Sequence, residues 1–279
     1  MRIRDLNWMQ LEAYLATDDR IVLPVGSTEQ HAYLSLETDN VLAERASVEA
    51  AEPLGVPVMP VLPYGVTGFT AYPGSPTLSE STLLAVLSEV VQSLLGQGFA
   101  RILVVNGHGG NTDPGRELER GQGGSVVWHE LWEGRPDEIA AQIDPDYDHA
   151  SWSENFPWTR LPGVAIPDKR KTPVEWPENG NPETWRKALG DGSFGGLYQR
   201  SAEDEDQLWQ AAVQAIRGRL EATITRHFEF EDQLRGLEIA DIERRLVEVR
   251  AESERRRQKR AELVRWAVDD IVRDALRPN

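Results

Sequence analysis

Two short segments carry side chains that could hold a metal ion. In Leu23-Pro-Val-Gly-Ser-Thr-Glu-Gln-His31, Glu29 and His31 follow an apolar run and stand one residue apart. In extended backbone that spacing lets both side chains point toward one centre. Asp39 comes next, at the start of a predicted helix, where free backbone N–H groups favour a carboxylate. The second segment, Asn106-Gly-His-Gly-Gly-Asn111, follows the apolar run Arg101–Val105, and its glycines permit the tight turning that would bring His108 to the same edge. Two imidazoles and two carboxylates make a mixed N/O donor set suited to Zn²⁺ or Mn²⁺ with positions left open for water. If Asp39 bridges, two ions fit, and a water between them is a nucleophile at neutral pH. Taken singly, Glu-x-His is more often a surface pair, and Gly-His-Gly-Gly can be a plain turn or an anion nest. Both motifs following strands, in a chain with five histidines, is what favours a metal.

Those segments must be held by a fold, and the pattern around them is alternating strand and helix. Ile21–Val25 reads as a strand, Thr38–Ala51 as a helix, and 56–62 as a second strand, with Pro57 and Pro60 implying an edge or irregular course. Ser79 or Ser81 could cap a helix whose Leu83, Leu87, Val91 and Leu94 share one face, ended by Gly96 or Gly98. Arg101–Val105 reads as a buried central strand and Ser125–Trp128 as a short one. This alternation predicts an α/β fold, a three-layer α/β/α sandwich with a mostly parallel sheet, whose ligands bind beyond the carboxyl ends of the strands. Residues 129–202 are rich in Pro, Gly and Trp with little periodicity, as expected of loops that cover a site or make an interface. A helical rhythm resumes from Glu203.

From Glu231 to Asn279 the chain carries twelve basic and twelve acidic side chains, with apolar residues such as Leu237, Ile242, Leu246, Val249, Leu263 and Ile271 in helical rhythm. Between Ala251 and Ala261 it is almost wholly polar. We therefore expect a domain over 1–230 and, over 231–279, a long C-terminal helical appendage serving as an interface or oligomerisation element.

Composition narrows the function. The 279 residues are 40% hydrophobic and 27% charged, ordinary for a globular protein. No cysteine is present, which excludes disulfides and thiol nucleophiles. The net charge of −16 argues against nucleic acid as a partner. No stretch approaches a membrane span and MRIRDLNWMQ has no apolar signal core behind it, so a cytoplasmic location is the expectation.

The motifs together resemble the creatininase (creatinine amidohydrolase) family. LPVGSTEQH at 23–31, TD at 38–39, LPYGVTGFTAYPGSPTLS at 62–79 and ILVVNGHGGN at 102–111 carry the resemblance, which covers roughly residues 5–230. It implies an α/β fold with a parallel sheet, a two-metal hydrolytic site of Zn or Mn and a homohexamer. Glu29, His31, Asp39 and His108 would be metal ligands, with Asp39 the bridge. The activity implied is hydrolysis of a C–N bond in a small cyclic polar substrate, a lactam or amide.

Three departures qualify that reading. The family's EQHGPHLPLGTD is here EQHAYLSLETD, one residue shorter and without the second His. Creatininase itself has a Glu inside the GHGGN segment, where this chain offers no carboxylate. Relatives with GHGGN take one from a later HAGExET motif, and the nearest match is His149-Ala-Ser-Trp-Ser-Glu-Asn155. Trp152 replaces that motif's first Glu, which leaves Glu154 as the fifth-ligand candidate; failing it, the second metal position is weak or absent. His149 matches the family's proton-shuttling His, and an imidazole has a suitable pKa for that task. Its bland alternative is a hydrogen-bonded loop histidine. Glu154, if not a ligand, would join His149 in protonating the leaving group. Lastly, relatives run into a long helix after Asn111, whereas this chain has the short, Gly-rich TDPGRELERGQGG; Glu117 and Glu119 there could substitute for the missing carboxylate, but surface charges are the favoured reading.

Nine tryptophans suit a flat or ring-shaped substrate, and Trp128, Trp132, Trp152, Trp158, Trp176 and Trp185 fall in or beside the irregular region. For any one of them, core or interface packing is the commoner role. Tyr33, Tyr64, Phe69 and Tyr72 are candidates for the pocket rim, and His129-Glu130 and Asp168–Lys171 for polar substrate contacts. Two rival readings stand beside the amidohydrolase: hydrolytic ring opening of a cyclic polyol diketone, like 3-dehydro-scyllo-inosose hydrolases, and a non-catalytic relative that kept the fold.

Overall fold

The computed structural model describes residues 1–175 and 181–275, with side chains described there except for 223–238 and 273–275. The chain divides into two compact units, Met1–Thr223 and Ile224–Asn279. Helix α1 (Trp8–Leu15), capped by Asn7, precedes strand β1 (Arg20–Val25); α2 (Thr38–Ala51) and α3 (Glu80–Gly96) lead to β2 (Arg101–Asn106). Helix α4 (Thr112–Gly121) connects β2 to β3 (Val126–Glu130). Then come α5 (Arg135–Ile143), β4 (Arg170–Lys171), α6 (Pro182–Leu189), β5 (Gly196–Leu197) and α7 (Ala202–Ala275).

Strands β1, β2 and β3 lie side by side in that order, all parallel, with Val25 opposite Asn106 and Asn106 opposite Glu130. Their carboxyl ends therefore finish level, and the segments carrying Glu29, His31 and His108 leave from one edge. β1 is buried along its whole length because both sheet faces are covered. Ile21, Leu23, Ile102 and Val104 face one way and pack with Leu83, Leu87 and Val91 of α3. Val22, Leu103 and Val105 face the other, against Leu42 and Ala46 of α2 and Leu208 and Ala212 of α7. These are the three layers of an α/β/α sandwich. Among the described residues, no helix is long and apolar enough to cross a membrane.

The chain at 56–62 follows β1 without forming a regular strand. Val58 and Leu62 make isolated parallel bridges to Val22 and Val25, because the prolines beside them cannot donate to a ladder. Ser79 caps α3 by accepting from the Thr82 N–H. Of the Gly-rich stretch after Asn111, Thr112–Gly121 forms the helix α4. Pro114 falls in its first turn, where the missing N–H costs no bond. Gly115 lies against the Trp128 indole, and a Cβ there would come within 2.2 Å of the ring. The irregular region also contains α5 and α6, each with a proline in its first turn. β4 and β5 pair antiparallel and are held by the buried Asp144, which accepts from Arg170 and from the Leu197 N–H.

Candidate metal centre

The two strand ends converge because small residues let them. Gly107 abuts the start of α2, where a Cβ would stand 2.6 Å from the Asp39 carbonyl oxygen. That approach sets His108 beside Asp39, in the first turn of α2, with Nδ1 to Oδ2 at 3.0 Å. Gly110 is as confined: a Cβ there would meet the Val66 carbonyl oxygen at 1.9 Å.

Among the described residues the donors form three overlapping triads, two of which share Asp39. Glu29, Asp39 and His108 make the first and His31, Asp39 and Glu154 the second; Glu29, His31 and His149 make the third. Asp39 spans the first two, its Oδ1 2.9 Å from His31 Nε2 and its Oδ2 facing His108. Glu29 Oε1 lies 3.3 Å from His108 Nδ1, and Glu154 Oε2 lies 3.7 Å from His31 Nε2. Glu29, His31 and Asp39 are at most 1% exposed.

The outer ring nitrogens decide what this cluster wants. His31 Nδ1 lies 3.1 Å from the Glu29 carbonyl oxygen, and His108 Nε2 lies 2.8 Å from that of Val66. Each nitrogen donates its proton there, so the other nitrogen of a neutral ring is a lone pair. In both rings that lone pair faces carboxylate oxygens. Glu29 Oε1 and Oε2, His31 Nε2 and Asp39 Oδ2 are buried without an aligned hydrogen bond, although several lie at ion-pair distance. Lone pairs packed against lone pairs in the interior repel unless a cation lies between them. A proton can serve: burial works to lower the His31 pKa, but Asp39, Glu154 and Glu29 carry it up to about 10. His108 is likewise raised, against its burial, by Asp39 and Glu29. A divalent ion serves better, since backbone carbonyls hold both rings as they hold metal-bound histidines.

Glu154 has a different balance. Burial pushes it up to about 7, opposed by His31 and by the Ala150 N–H that donates to its Oε2 at 2.7 Å. Ala150 adopts φ 58°, a left-handed turn that aims this N–H back at the carboxylate. His149 stands over the cluster, stacked on Phe69, with its ring 4.3 Å from that of His31. Its Nε2 lies 2.9 Å from the Gln30 carbonyl oxygen, to which it donates when protonated, and 3.0 Å from Gln30 Nε2, while its Nδ1 lies 3.5 Å from Glu29 Oε1. Burial, with His31 adding to it, lowers its pKa to about 4, so this imidazole is neutral.

The cluster opens into a cavity of about 640 Å³ walled by Phe69, Trp132, Tyr147, Trp185 and Phe194. Of the aromatic residues expected near it, Phe69, Trp132 and Trp185 line it. Trp128 and Trp152 are buried in the cores, Trp158 stacks on Phe156, and Trp176 lies outside the described residues. Tyr33, Tyr64 and Tyr72 are not in the lining, and Tyr72 packs under Arg186 instead. Nor do His129-Glu130 or Asp168–Lys171 reach it. His129 is buried on β3 near Glu133; Glu130 accepts from Asn106 and Trp128; Lys171 pairs with Asp191. On α4, Glu119 is a structural acceptor for the Trp128 N–H, not only a surface charge. Tyr147, Asp148, Ser153 and Phe194 join the lining without having been singled out. The first three flank His149 and Glu154 in sequence, a signal proximity could have supplied; Phe194 has no such signal.

The chain is similar to several known proteins. The creatinine amidohydrolase of Pseudomonas putida is 32% identical over 114 residues, 38% of this chain and 44% of that protein. The chain spans less than half the length of the curated relatives it matches. A putative creatinine amidohydrolase from Bacteroides fragilis superposes with a TM-score of 0.64 at 26% identity, covering 79% of this chain and 95% of that one. A creatininase mutant described as Zn–Zn type gives a TM-score of 0.64 at 22% identity, over 80% and 97%. Residues 4–220 match the family described as creatinine amidohydrolase, and since they make up most of the chain and carry the whole donor cluster, the chain belongs to the creatininase family.

Proposed function

We propose that this protein is a metal-dependent hydrolase of a small cyclic substrate, cleaving an amide or lactam C–N bond. The observation that carries the reading is the pair of donor triads sharing Asp39, with buried lone pairs that only cations reconcile. Glu29, Asp39 and His108 would hold one divalent ion, and His31, Asp39 and Glu154 a second. Zn²⁺ or Mn²⁺ suits imidazole and carboxylate donors, and a structurally similar creatininase is described as Zn–Zn. Such ions supply an activated water and polarise the scissile carbonyl.

The remaining work falls to side chains of the chain itself. Asp39 keeps the two positions adjacent, since each of its oxygens faces one imidazole. His149 is neutral and held by the Gln30 carbonyl, which leaves Nδ1 to take a proton on the Glu29 side and return it to the departing nitrogen. Phe69, Trp132 and Trp185 offer flat faces to a ring and limit water around it. Residues 1–230 form the hydrolase domain in this reading, with 231–279 a helical interface. A cytoplasmic homohexamer is the assembly and place we assign it.

Metal analysis of protein purified without added metal, with Glu29→Ala and His108→Ala beside it, tests the site. About two ions per chain are expected, falling in both variants; a content near zero, unchanged by either substitution, rejects the enzyme. A panel of lactams, formamides and cyclic keto-polyols assayed with Zn²⁺ and Mn²⁺ tests the bond cleaved. Turnover confined to keto-polyols would replace amide hydrolysis by ring opening of a diketone.

A further inference from the structure

The helix α7 continues well past the end of the family match at residue 220, and its described side chains from 239 onward are exposed. At spacings of three and four, Ile239, Ile242, Leu246 and Val249 form one apolar patch, and Val264, Val268 and Ile271 form another on the same face. Each of these side chains is at least 46% exposed. Between the patches the stripe runs through Ser253, Arg257 and Arg260, within the basic run Arg255–Arg260. The order of residues is close to a palindrome centred on Arg255. Reversing the helix about that point lays Ile239 on Ile271, Ile242 on Val268, Leu246 on Val264 and Ser253 on Arg257.

We propose that a second copy of this chain packs antiparallel along this stripe, with the two-fold axis passing near Arg255. This deepens the reading of 231–279 as an interface and rests on it. Charge selects the orientation. A parallel, in-register pair would set the run Arg255–Arg260 against itself. The antiparallel pair sets Arg250 against Arg260 but lays Arg257 on Ser253 instead of on itself, and places acids beside bases on one flank: Glu243 near Arg265 and Glu254 near Arg257 of the other chain. Those contacts occur twice by symmetry, as in any two-fold interface. The same pairing within one chain would need a hairpin turn near Arg255. The helix is unbroken there, so Ile239 and Ile271 of one chain lie about 48 Å apart at 1.5 Å per residue.

The absence of cysteine makes the test direct. Ser253→Cys and Arg257→Cys are prepared separately, then oxidised alone and as an equal mixture. The proposal expects the mixed 253–257 disulfide to exceed either homodimer by roughly tenfold. It also expects Leu246→Glu, introduced into both, to abolish the cross-link and lower the mass by light scattering. Predominant 253–253 and 257–257 disulfides would mean parallel packing and overturn the inference while leaving the extension an interface. No disulfide at all, with a mass unchanged by Leu246→Glu, would overturn the inference and the interface reading together. No outcome depends on hydrolase activity.

Discussion

At the scale of single residues, the site is governed by where each imidazole spends its proton. His31 and His108 give one N–H to a backbone carbonyl and turn the other nitrogen to carboxylates. Before an ion enters, the raised pKa values of both rings, and of Glu154 at about 7, mean that protons occupy the cluster at neutral pH. Metal binding must expel them. We predict that adding Zn²⁺ to the metal-free protein at pH 7 acidifies a weakly buffered solution, and that affinity rises with pH. Loading without proton release would contradict the assignment. Backbone strain supplies a second residue-scale prediction. Ala32 adopts φ 50°, at a position where the family motif has glycine. A left-handed conformation costs an L-residue about 1–2 kcal/mol, part of which glycine returns as lost chain entropy. Ala32→Gly should stabilise the fold by about 0.5–1 kcal/mol, read from a denaturant midpoint; a lower midpoint would show that the methyl is needed where it lies.

At the scale of elements, the ends of β2 and β3 form one hydrogen-bonded unit behind the metal centre. Glu130, the last residue of β3, accepts from Asn106 Nδ2 and from Trp128 Nε1, each at 2.6 Å. Asn106 also donates to the His108 carbonyl oxygen and accepts from Asn111 and from the His108 N–H. Glu130 therefore touches neither cavity nor donor, yet fixes the amide that fixes His108. Outer-shell partners of this kind typically change metal affinity by about 10- to 100-fold. Glu130→Ala is expected to weaken metal binding by about tenfold or more, in a competition titration against a chelating dye. Unchanged affinity would reduce Glu130 to an anchor for the Trp128 indole. Helix α4 shows why this level was only partly visible in sequence. Its Pro and Gly suggest a loop, but Pro114 sits where helices tolerate it and Gly115 is required by the close Trp128 ring.

At the scale of the whole molecule, three carboxylates, Glu29, Asp39 and Glu154, are buried together at the carboxyl edge of the sheet. Folding must then supply counter-charge to that edge, and an ion that binds only the folded chain does so. At a free ion concentration a hundredfold above its dissociation constant, one site adds about 2.7 kcal/mol. A strong chelator should lower the melting temperature by several degrees, and excess Zn²⁺ or Mn²⁺ should restore it. The Asp39→Asn variant should lose most of this difference, because two of the triads share that carboxylate. Equal melting with and without chelator would argue that the cluster holds protons rather than metal.

The sequence by itself determined the local terms. Apolar runs placed β1 and β2, helical periodicity placed α2 and α3, and motif chemistry singled out Glu29, His31, Asp39 and His108, since strand alternation and donor type are properties of neighbouring residues. Glu154 and His149 were legible only through likeness to a family motif. Their meeting with His31 and Glu29 spans more than a hundred residues, and no local pattern reports such a distance. Tertiary structure alone decided that Trp132, Trp185 and Phe194 wall the cavity while Trp128 and Trp152 fill the cores. An indole is equally at home against a ring substrate or inside a sheet layer; which it meets depends on elements far away in the chain.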